Sequence, residues 1–225
     1  MIRRRTRIKI CGVTRVEDAL TAAAAGADAV GMIRHAPAGR CVSVEAARGL
    51  VAALPAFVTP VAVYAGEAPE QVAEDASAIG PGVVVQLHRG ATPDAVAALA
   101  PRAVIVGIQV TAEAADATLA PWRTAARLLP NLKALLLESP GQSGGEGVEN
   151  DWALLARLAQ TGALDGLPPL VMAGGLTPGN VERVVRDLRP WGVDVSSGVE
   201  GPARGEKSRE RVTAFVRAVR AADDD

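Results

Sequence analysis

Residues 169–187 read PLVMAGGLTPGNVERVVRD and contain one complete strand–loop–helix unit. The run 169–173 is short and apolar, as expected for a parallel strand that is buried on both faces. Two glycines follow this run, and apolar residues then recur with helical spacing over 177–187. The stretch therefore predicts a buried strand that a glycine-rich loop connects to an amphipathic helix.

The same unit recurs along the whole chain. Short apolar or β-branched runs, which predict strands, occupy 7–12, 29–33, 60–65, 83–88, 103–110, 134–138, 169–173 and 193–196. Stretches with helical spacing follow them at 16–25, 44–54, 69–77, 93–99, 112–129, 151–160, 177–187 and 206–222. Strict alternation implies parallel strands with right-handed crossovers. Eight units of about 28 residues fill the 225 residues, so we predict an α/β fold: a single-domain (β/α)8 TIM barrel of eight parallel strands over 1–225.

An open doubly wound sheet is the alternative arrangement of the same elements. That fold usually carries a GxGxxG turn after its first strand, whereas the turn here reads CGVT at 11–14. Ser43, Thr92 and Thr177 each stand at the start of a predicted helix, where their hydroxyls are expected to act as caps. The basic residues 1–6 and the acidic residues 223–225 are expected to be flexible ends.

The composition excludes several classes of protein. The chain is 49% hydrophobic, 22% charged and 3% aromatic, with a formal net charge of -1. This apolar content is too high for a disordered chain, and the lack of a basic excess argues against a nucleic-acid-binding protein. No apolar run approaches the roughly 18–20 residues of a membrane span. Two cysteines make no disulfide framework, and the basic start lacks the apolar stretch of an export signal, so we expect a cytoplasmic protein.

Polar residues interrupt the predicted strands at or near their carboxyl ends, where barrel active sites are built. They are Lys9 and Cys11 in strand one, Gln86 and His88 in strand four, Glu138 in strand six, and Asp194 and Ser196 in strand eight. Each has a structural alternative. Lys9 and Asp194 can pair inside the barrel, a barrel histidine is often a hydrogen-bonded structural residue, and a buried cysteine is often inert. Because four strands bring such residues to one rim, we interpret them together as a candidate site.

Glycine-rich loops mark a candidate anion site. Gly174 and Gly175 follow strand seven, and Ser197 and Gly198 follow strand eight. Glycines there let backbone N–H groups approach an anion, and loops after strands seven and eight are the recurrent phosphate site of this fold. The alternative is that these are only tight turns. Gly145, in the glycine-rich stretch 143–147, belongs to a mobile lid, to the anion cradle or to a flexible loop.

These residues together predict a class of chemistry. A thiol, a carboxylate and an imidazole that face a small phosphorylated ligand suit proton transfer without a cofactor, which means isomerisation or a similar acid–base step. The acidic and histidine residues are too scattered along the chain to indicate a metal site.

Seven segments of the chain resemble one known family. KICGVT at 9–14, VQLH at 85–88 and DVSSGVE at 194–200 resemble segments of the phosphoribosylanthranilate isomerases, in the same order. Further resemblance lies in RCVS at 40–43, LLES at 136–139, GGEG at 144–147 with DW at 151–152, and AGGLTPGN at 173–180. The resemblance covers nearly the whole chain.

The resemblance implies an Amadori rearrangement of N-(5-phosphoribosyl)anthranilate to 1-(2-carboxyphenylamino)-1-deoxyribulose 5-phosphate, a cofactor-free step of tryptophan biosynthesis. It implies Cys11 as the general base, Glu138 as the general acid and Arg40 as the residue that grips the anthranilate carboxylate. The other contacts expected are with substrate through Lys9, Gln86, His88 and Asp194, and with phosphate through Gly145, Gly174, Gly175, Ser197 and Gly198. The expected partner is this small molecule, with no nucleic acid or membrane, and the expected assembly is a monomer or homodimer.

The sequence departs from the family pattern at three places. Glu138 replaces the aspartate of LLDS and moves the carboxylate by roughly 1 Å, which costs on the order of 10²-fold in rate if nothing compensates. Glu146 replaces the threonine of GGTG, and the loop 34–39 is unlike the usual sequence. These departures leave two alternatives: a paralogous barrel isomerase for a different phosphosugar amine, and a non-catalytic phosphosugar-binding barrel. The related sugar isomerase of histidine biosynthesis generally has an aspartate where Cys11 stands.

Overall fold

Eight parallel strands close into a barrel in the order in which they occur in the chain. A computed structural model describes residues 5–35, 39–138 and 151–224. The strands are β1 (Arg7–Ile10), β2 (Ala29–Ile33), β3 (Thr59–Tyr64), β4 (Val84–His88), β5 (Val104–Gln109), β6 (Leu132–Glu138), β7 (Leu170–Met172) and β8 (Gly192–Val195). Each strand pairs with the next, and β1 pairs with β8. The predicted (β/α)8 barrel is therefore confirmed.

One α-helix follows each strand and packs on the outside of the barrel. The helices are α1 (Val16–Ala25), α2 (Val44–Ala53), α3 (Pro69–Ile79), α4 (Pro93–Ala98), α5 (Ala115–Leu128), α6 (Trp152–Gln160), α7 (Val181–Leu188) and α8 (Arg209–Asp224). A short 3₁₀ turn, Ser197–Val199, lies between β8 and α8. Among the helices that the structure describes, none combines the length and the apolar character needed to cross a membrane.

Two of the three predicted helix caps are confirmed. The hydroxyl of Ser43 accepts a hydrogen bond from the N–H of Ala46, and that of Thr92 accepts one from the N–H of Ala95. The cap predicted at Thr177 is wrong, because α7 begins at Val181. The side chain of Asn180 instead accepts from the N–H of Thr177 at 2.8 Å and holds the preceding residues in a turn.

The buried apolar residues form two clusters, one inside the barrel and one between the strands and the helices. Successive residues of a strand face opposite sides, so alternate side chains point inward. Ala134, Leu136, Val171 and Ala173 form a small apolar cluster to which Ile105 adds, and the strand register places these residues inside the barrel. The larger core, which contains Ile8, Leu135 and Phe215, lies between strands and helices. The polar residues at the strand ends sit above the inner cluster, toward the carboxyl ends of the strands.

The two ends of the described chain contact each other. The hydroxyl and the N–H of Thr6 both donate to the carboxylate of Asp223, at 2.6 and 3.0 Å. The guanidinium of Arg220 donates to the carbonyl of Thr6 at 2.7 Å. Thr6 and Asp223 are therefore anchored, while residues 1–4 and 225 of the ends predicted to be flexible lie outside the described residues.

Candidate active site

Lys9 and Asp194 form an ion pair inside the barrel. They are register partners on the adjacent strands β1 and β8, and Lys9 Nζ lies 2.8 Å from Asp194 Oδ1. Burial by itself would lower the pKa of Lys9, but Asp194 and the thiol of Cys11 raise it above its ordinary value. Lys9 is therefore a fixed positive charge, and the pairing considered from the sequence is what the structure contains.

Cys11 follows β1 directly and is 7% exposed. Its side chain shares a space with Lys9 above Gly31 of β2, where a Cβ atom would lie 2.7 Å from Cys11 Sγ and 3.1 Å from Lys9 Nζ. Burial raises the pKa of the Cys11 thiol, and the neighbouring Lys9 ammonium opposes that rise. The resting group is a thiol, and Lys9 is the charge that favours its ionisation.

Glu138 ends β6, where it is almost completely buried. Burial raises the pKa of this carboxyl to about 7, and the negative charge of Asp194 adds to the rise, while Lys9 and Arg89 oppose it. The group is then close to half protonated at neutral pH, which suits a general acid. Cys11 and Glu138 respond to the same Lys9–Asp194 pair, so the four side chains face one common space.

Gln86 and His88 project into the barrel from β4, and His88 lies next to Glu138. His88 Nε2 lies 3.7 Å from Glu138 Oε2. Burial lowers the pKa of His88, so its ring is neutral at neutral pH. Two buried atoms, Gln86 Oε1 and His88 Nδ1, find no hydrogen-bond partner within the described part of the chain. A buried polar atom without a hydrogen-bond partner lowers the stability of the fold unless a ligand or a water molecule supplies the partner.

Arg40 reaches the same rim from the loop between β2 and α2 and is 3% exposed. Its Nε lies 3.2 Å from Glu200 Oε1, and its Nη1 donates to Ser196 Oγ at 2.5 Å. Ser196 Oγ in turn donates to the carbonyl of Cys11 at 3.0 Å. Lys207 Nζ lies 3.1 Å from the same Glu200 oxygen. Glu200 and Ser196 thus fix the orientation of the Arg40 guanidinium, and Lys207 holds Glu200 in place.

The two glycine loops predicted to bind phosphate lie side by side. Gly174 and Gly175 adopt φ angles of +94° and +67°, in the left-handed region that favours glycine. A Cβ atom on Gly198 would lie 1.9 Å from the carbonyl oxygen of Leu176, so only glycine fits where the β8 loop crosses the β7 loop. Over residues 5–35, 39–138 and 151–224, the N–H groups of Gly174, Gly175, Ser197 and Gly198 donate to no backbone carbonyl. Gly145 lies outside the described residues.

Nearly the whole length of this chain matches a known family. The sequence model for N-(5'phosphoribosyl)anthranilate (PRA) isomerase matches residues 8–218. This chain belongs to the PRA isomerase family. The N-(5'-phosphoribosyl)anthranilate isomerases of Methylibium petroleiphilum and Pseudomonas aeruginosa are each 39% identical to it. The first alignment covers 97% of this chain and 96% of the relative, and the second covers 95% of each.

Solved PRA isomerases share the fold of this chain. One, in complex with reduced 1-(o-carboxyphenylamino)-1-deoxyribulose 5-phosphate, has a TM-score of 0.79 and 31% identity, and the match covers 96% of this chain and 99% of that one. The isomerase of Thermotoga maritima has the same TM-score and coverage at 32% identity. A third structure, of monomers of the dimeric Thermotoga maritima isomerase, has a TM-score of 0.77 and 30% identity, with the same coverage.

Sequence reasoning missed four residues of the candidate site in this PRA isomerase family member. Gly31 and Gly107 make room for Cys11 and His88, and their signal is a glycine inside a strand, where it weakens the strand unless something approaches closely. Glu200 and Lys207 orient Arg40, and no local pattern marks them. In the described part of the chain no three His, Cys, Asp or Glu side chains cluster as metal ligands would.

Proposed function

We propose that this chain catalyses the Amadori rearrangement of N-(5-phosphoribosyl)anthranilate to 1-(2-carboxyphenylamino)-1-deoxyribulose 5-phosphate, an aldose–ketose isomerisation of tryptophan biosynthesis. The observation that carries the proposal is the placement of a buried thiol and a buried carboxylic acid, Cys11 and Glu138, near the same Lys9–Asp194 pair at the mouth of a barrel of this family. A solved relative binds a reduced form of the proposed product, which supports the same substrate class here.

Glu138 is the proposed general acid. With a pKa of about 7 it holds a proton in a large share of molecules at neutral pH. It protonates the furanose ring oxygen, and the bond from that oxygen to C1′ breaks with its electron pair remaining on oxygen. The anilino nitrogen supplies the electrons for the new C=N bond, which gives a protonated Schiff base.

Cys11 is the proposed general base. Its thiolate removes the proton from C2′, and the electrons neutralise the Schiff base to form an enolamine. Tautomerisation then adds a proton at C1′ and removes one from the C2′ hydroxyl, which leaves the ketone. The Lys9 ammonium stabilises the thiolate, and Asp194 fixes Lys9 in place at 2.8 Å. Each step moves only electron pairs within the substrate and protons between the substrate and these side chains, so the chemistry requires no resident cofactor.

Substrate binding is divided between two groups of residues. The N–H groups of Gly174, Gly175, Ser197 and Gly198 are proposed to bind the phosphate, with Gly145 as a further contact. Arg40, whose orientation Glu200 and Ser196 fix, is the proposed ligand of the anthranilate carboxylate. Gln86 and His88 have buried atoms without partners and are proposed to contact the ribose portion. We further propose that the enzyme is a cytoplasmic monomer or homodimer.

The proposed mechanism needs Cys11 as a thiolate and Glu138 as a protonated carboxyl at the same time, although the carboxyl ionises at a lower pH than the thiol. Burial raises the pKa of Cys11 above the usual thiol value near 8.5, whereas that of Glu138 is about 7. The carboxyl therefore ionises at a lower pH than the thiol, and only a minor fraction of the free enzyme holds the thiolate and the protonated carboxyl together. Removing the Lys9 charge raises the thiol pKa further and reduces that fraction.

The test is turnover of phosphoribosylanthranilate, followed by the loss of substrate fluorescence. We expect turnover by the unaltered protein and losses on the order of 10²- to 10⁴-fold in Cys11→Ser and Glu138→Gln. Cys41→Ser is the matched control, because Cys41 is an exposed free thiol. Glu138→Asp shows whether the longer side chain is required.

Three outcomes would contradict parts of this proposal. Turnover that survives both Cys11→Ser and Glu138→Gln would contradict the roles of these residues. Binding of the substrate without turnover by the unaltered protein would indicate the non-catalytic barrel. Neither binding nor turnover would indicate the paralogous isomerase with a different phosphosugar amine.

A further inference from the structure

Strand β5 carries a glycine, Gly107, between His88 of β4 and Glu138 of β6, and the space left by its missing side chain is called the gap below. Gly107 is the register partner of His88 on one side and of Leu136, two residues before Glu138, on the other. A Cβ atom at position 107 would lie 2.7 Å from His88 Nδ1, well inside contact distance. The imidazole therefore occupies the space that any other residue of β5 would fill.

This gap lets an imidazole from β4 approach a carboxyl from a strand that is not its neighbour. His88 Nε2 lies 3.7 Å from Glu138 Oε2, and both side chains are largely buried. The other ring nitrogen, Nδ1, is buried without an acceptor within the described chain. A neutral imidazole carries one N–H, and burying it without an acceptor is unfavourable. The proton of the neutral ring is thus best placed on Nε2, the nitrogen that faces Glu138.

We infer that His88 is a positioning residue for Glu138: its Nε2–H stabilises the Glu138 carboxylate formed by proton transfer to the substrate, and Gly107 provides the space for this contact. The inference rests on the proposed function. When the Glu138 proton moves to the ring oxygen, the new carboxylate closes the 3.7 Å separation and accepts the Nε2–H. No bond to His88 breaks, so the histidine remains neutral throughout.

Other charges also act on this pair of residues, and the test has to leave them unchanged. Asp194 from β8, Lys9 from β1 and Arg89 from the end of β4 act on both Glu138 and His88. His35, from the end of β2, acts on His88. Neutral replacements of His88 and Gly107 remove the proposed contact and alter none of these charges.

Two replacements of His88 distinguish a donor from a space-filling side chain. An Asn amide N–H reaches about as far as Nδ1, and a Gln amide N–H about as far as Nε2. His88→Asn is expected to lower kcat by about 10- to 100-fold, the effect of one hydrogen bond to a charged group, with KM changed less than about threefold. His88→Gln is expected to recover most of that loss. Equal kcat values for His88→Gln and His88→Asn would overturn the inference.

Gly107→Ala tests the gap directly. The added methyl displaces the ring, so the variant is expected to lose kcat to a similar extent as His88→Asn. In the His88→Asn background the same change is expected to cost less than about twofold, because the contact is already absent. Gly192→Ala is the control: its Cβ would lie 3.1 Å from the carbonyl oxygen of Arg7, at the opposite end of the barrel. Independent, multiplying losses from Gly107→Ala and His88→Asn would overturn the role of the gap.

A titration without substrate separates failure of this inference from failure of the proposed function. The ¹³C signal of the Glu138 carboxyl, identified by its absence in Glu138→Gln, reports the pKa of that group. His88→Asn is expected to raise this pKa and His88→Gln to restore it, because the donor stabilises the carboxylate. If the unaltered protein fails to turn over the substrate, the proposed function is wrong. The titration still shows whether His88 contacts the Glu138 carboxylate. An unchanged pKa in His88→Asn would overturn the contact.

Discussion

The two sides of the barrel mouth differ in how completely their polar groups are paired. On the side formed by β8, β1 and the β2 loop, Lys9 binds Asp194, and Arg40 binds Glu200 and Ser196. On the side formed by β4 and β6, Gln86 Oε1 and His88 Nδ1 have no partner in the described chain, and Glu138 lies 3.7 Å from the nearest imidazole nitrogen. The first side holds its charges in place without a ligand, and the second has the unpartnered groups that we propose the substrate contacts.

This difference predicts that substitutions of the paired groups and of the unpaired groups affect different properties of the protein. Paired buried charges are expensive to break, because the remaining partner stays buried without compensation. Unpaired buried groups add no hydrogen bond that stabilises the fold, so their replacement by apolar groups costs little stability, and they are available to the substrate. Substitutions of the paired charges on the β8–β1 side should therefore affect stability most, and those of the unpaired groups on the β4–β6 side should affect turnover or substrate binding most.

Asp194→Asn is expected to have the largest effect on stability. It leaves the Lys9 ammonium buried beside a neutral amide, which should cost about 3–5 kcal/mol in the free energy of unfolding, measured by urea denaturation. Glu182→Gln is the control, since it breaks an exposed pair with Arg186 at 2.7 Å and should cost less than about 1 kcal/mol. If Asp194→Asn does not fold, Lys9→Met with Asp194→Leu should fold again. Equal losses of unfolding free energy in Asp194→Asn and Glu182→Gln would contradict this explanation.

Gly198→Ala is expected to have the next largest effect, and to act on binding. Its Cβ would lie 1.9 Å from the carbonyl oxygen of Leu176 and must displace the β8 loop from the β7 loop. We expect KM for phosphoribosylanthranilate to rise about 10- to 100-fold, the effect of losing one hydrogen bond to a charged group. Gly201→Ala is the control, because its nearest atom is 3.8 Å away, and KM should stay unchanged. A normal KM in Gly198→Ala would argue against a phosphate site between these loops.

Gln86→Leu is expected to have the smallest effect on stability. The amide oxygen it removes has no partner in the described chain, so unfolding should change by less than about 1 kcal/mol while KM rises. Asn131→Leu is the comparison: its buried amide donates to the carbonyl of Val96 at 2.7 Å, and its loss should cost about 1–3 kcal/mol with KM unchanged. The contrast between the two sides would fail if Gln86→Leu were the more destabilising variant.

The fold could be predicted because its signal is repeated. Eight alternations of an apolar run and a helical pattern left one parallel arrangement that closes, and local hydroxyl caps such as Ser43 and Thr92 were predictable from neighbouring residues. Thr177 was not, because the side chain of Asn180, three residues later, accepts from the N–H of Thr177 and holds a turn there, so that α7 begins only at Val181. The residue at which a helix begins depends on such side-chain contacts, and the hydrophobic pattern of the sequence alone does not predict it.

The site was predictable only in part, for a related reason. Residues such as Cys11 and Glu138 stand out because they are polar inside buried strands. Gly31 and Gly107 act through the space they leave, which becomes visible only when the neighbouring strand is in place. Lys207 reaches Glu200 from beyond the last strand, and only the closed barrel brings it there.

The central claim is that Glu138 is the acid with a raised pKa and Cys11 the base. Its most direct test is the pH dependence of kcat/KM in the unaltered protein, with the Glu138 carboxyl titrated by ¹³C NMR. Below pH 7 each unit adds about tenfold more thiolate, and above pH 7 the loss of protonated Glu138 offsets that gain. We therefore predict a rate that rises and then levels near pH 7, at the pH where the carboxyl titrates. A carboxyl that titrates near 4.5, or a rate that keeps rising through pH 8, would contradict it.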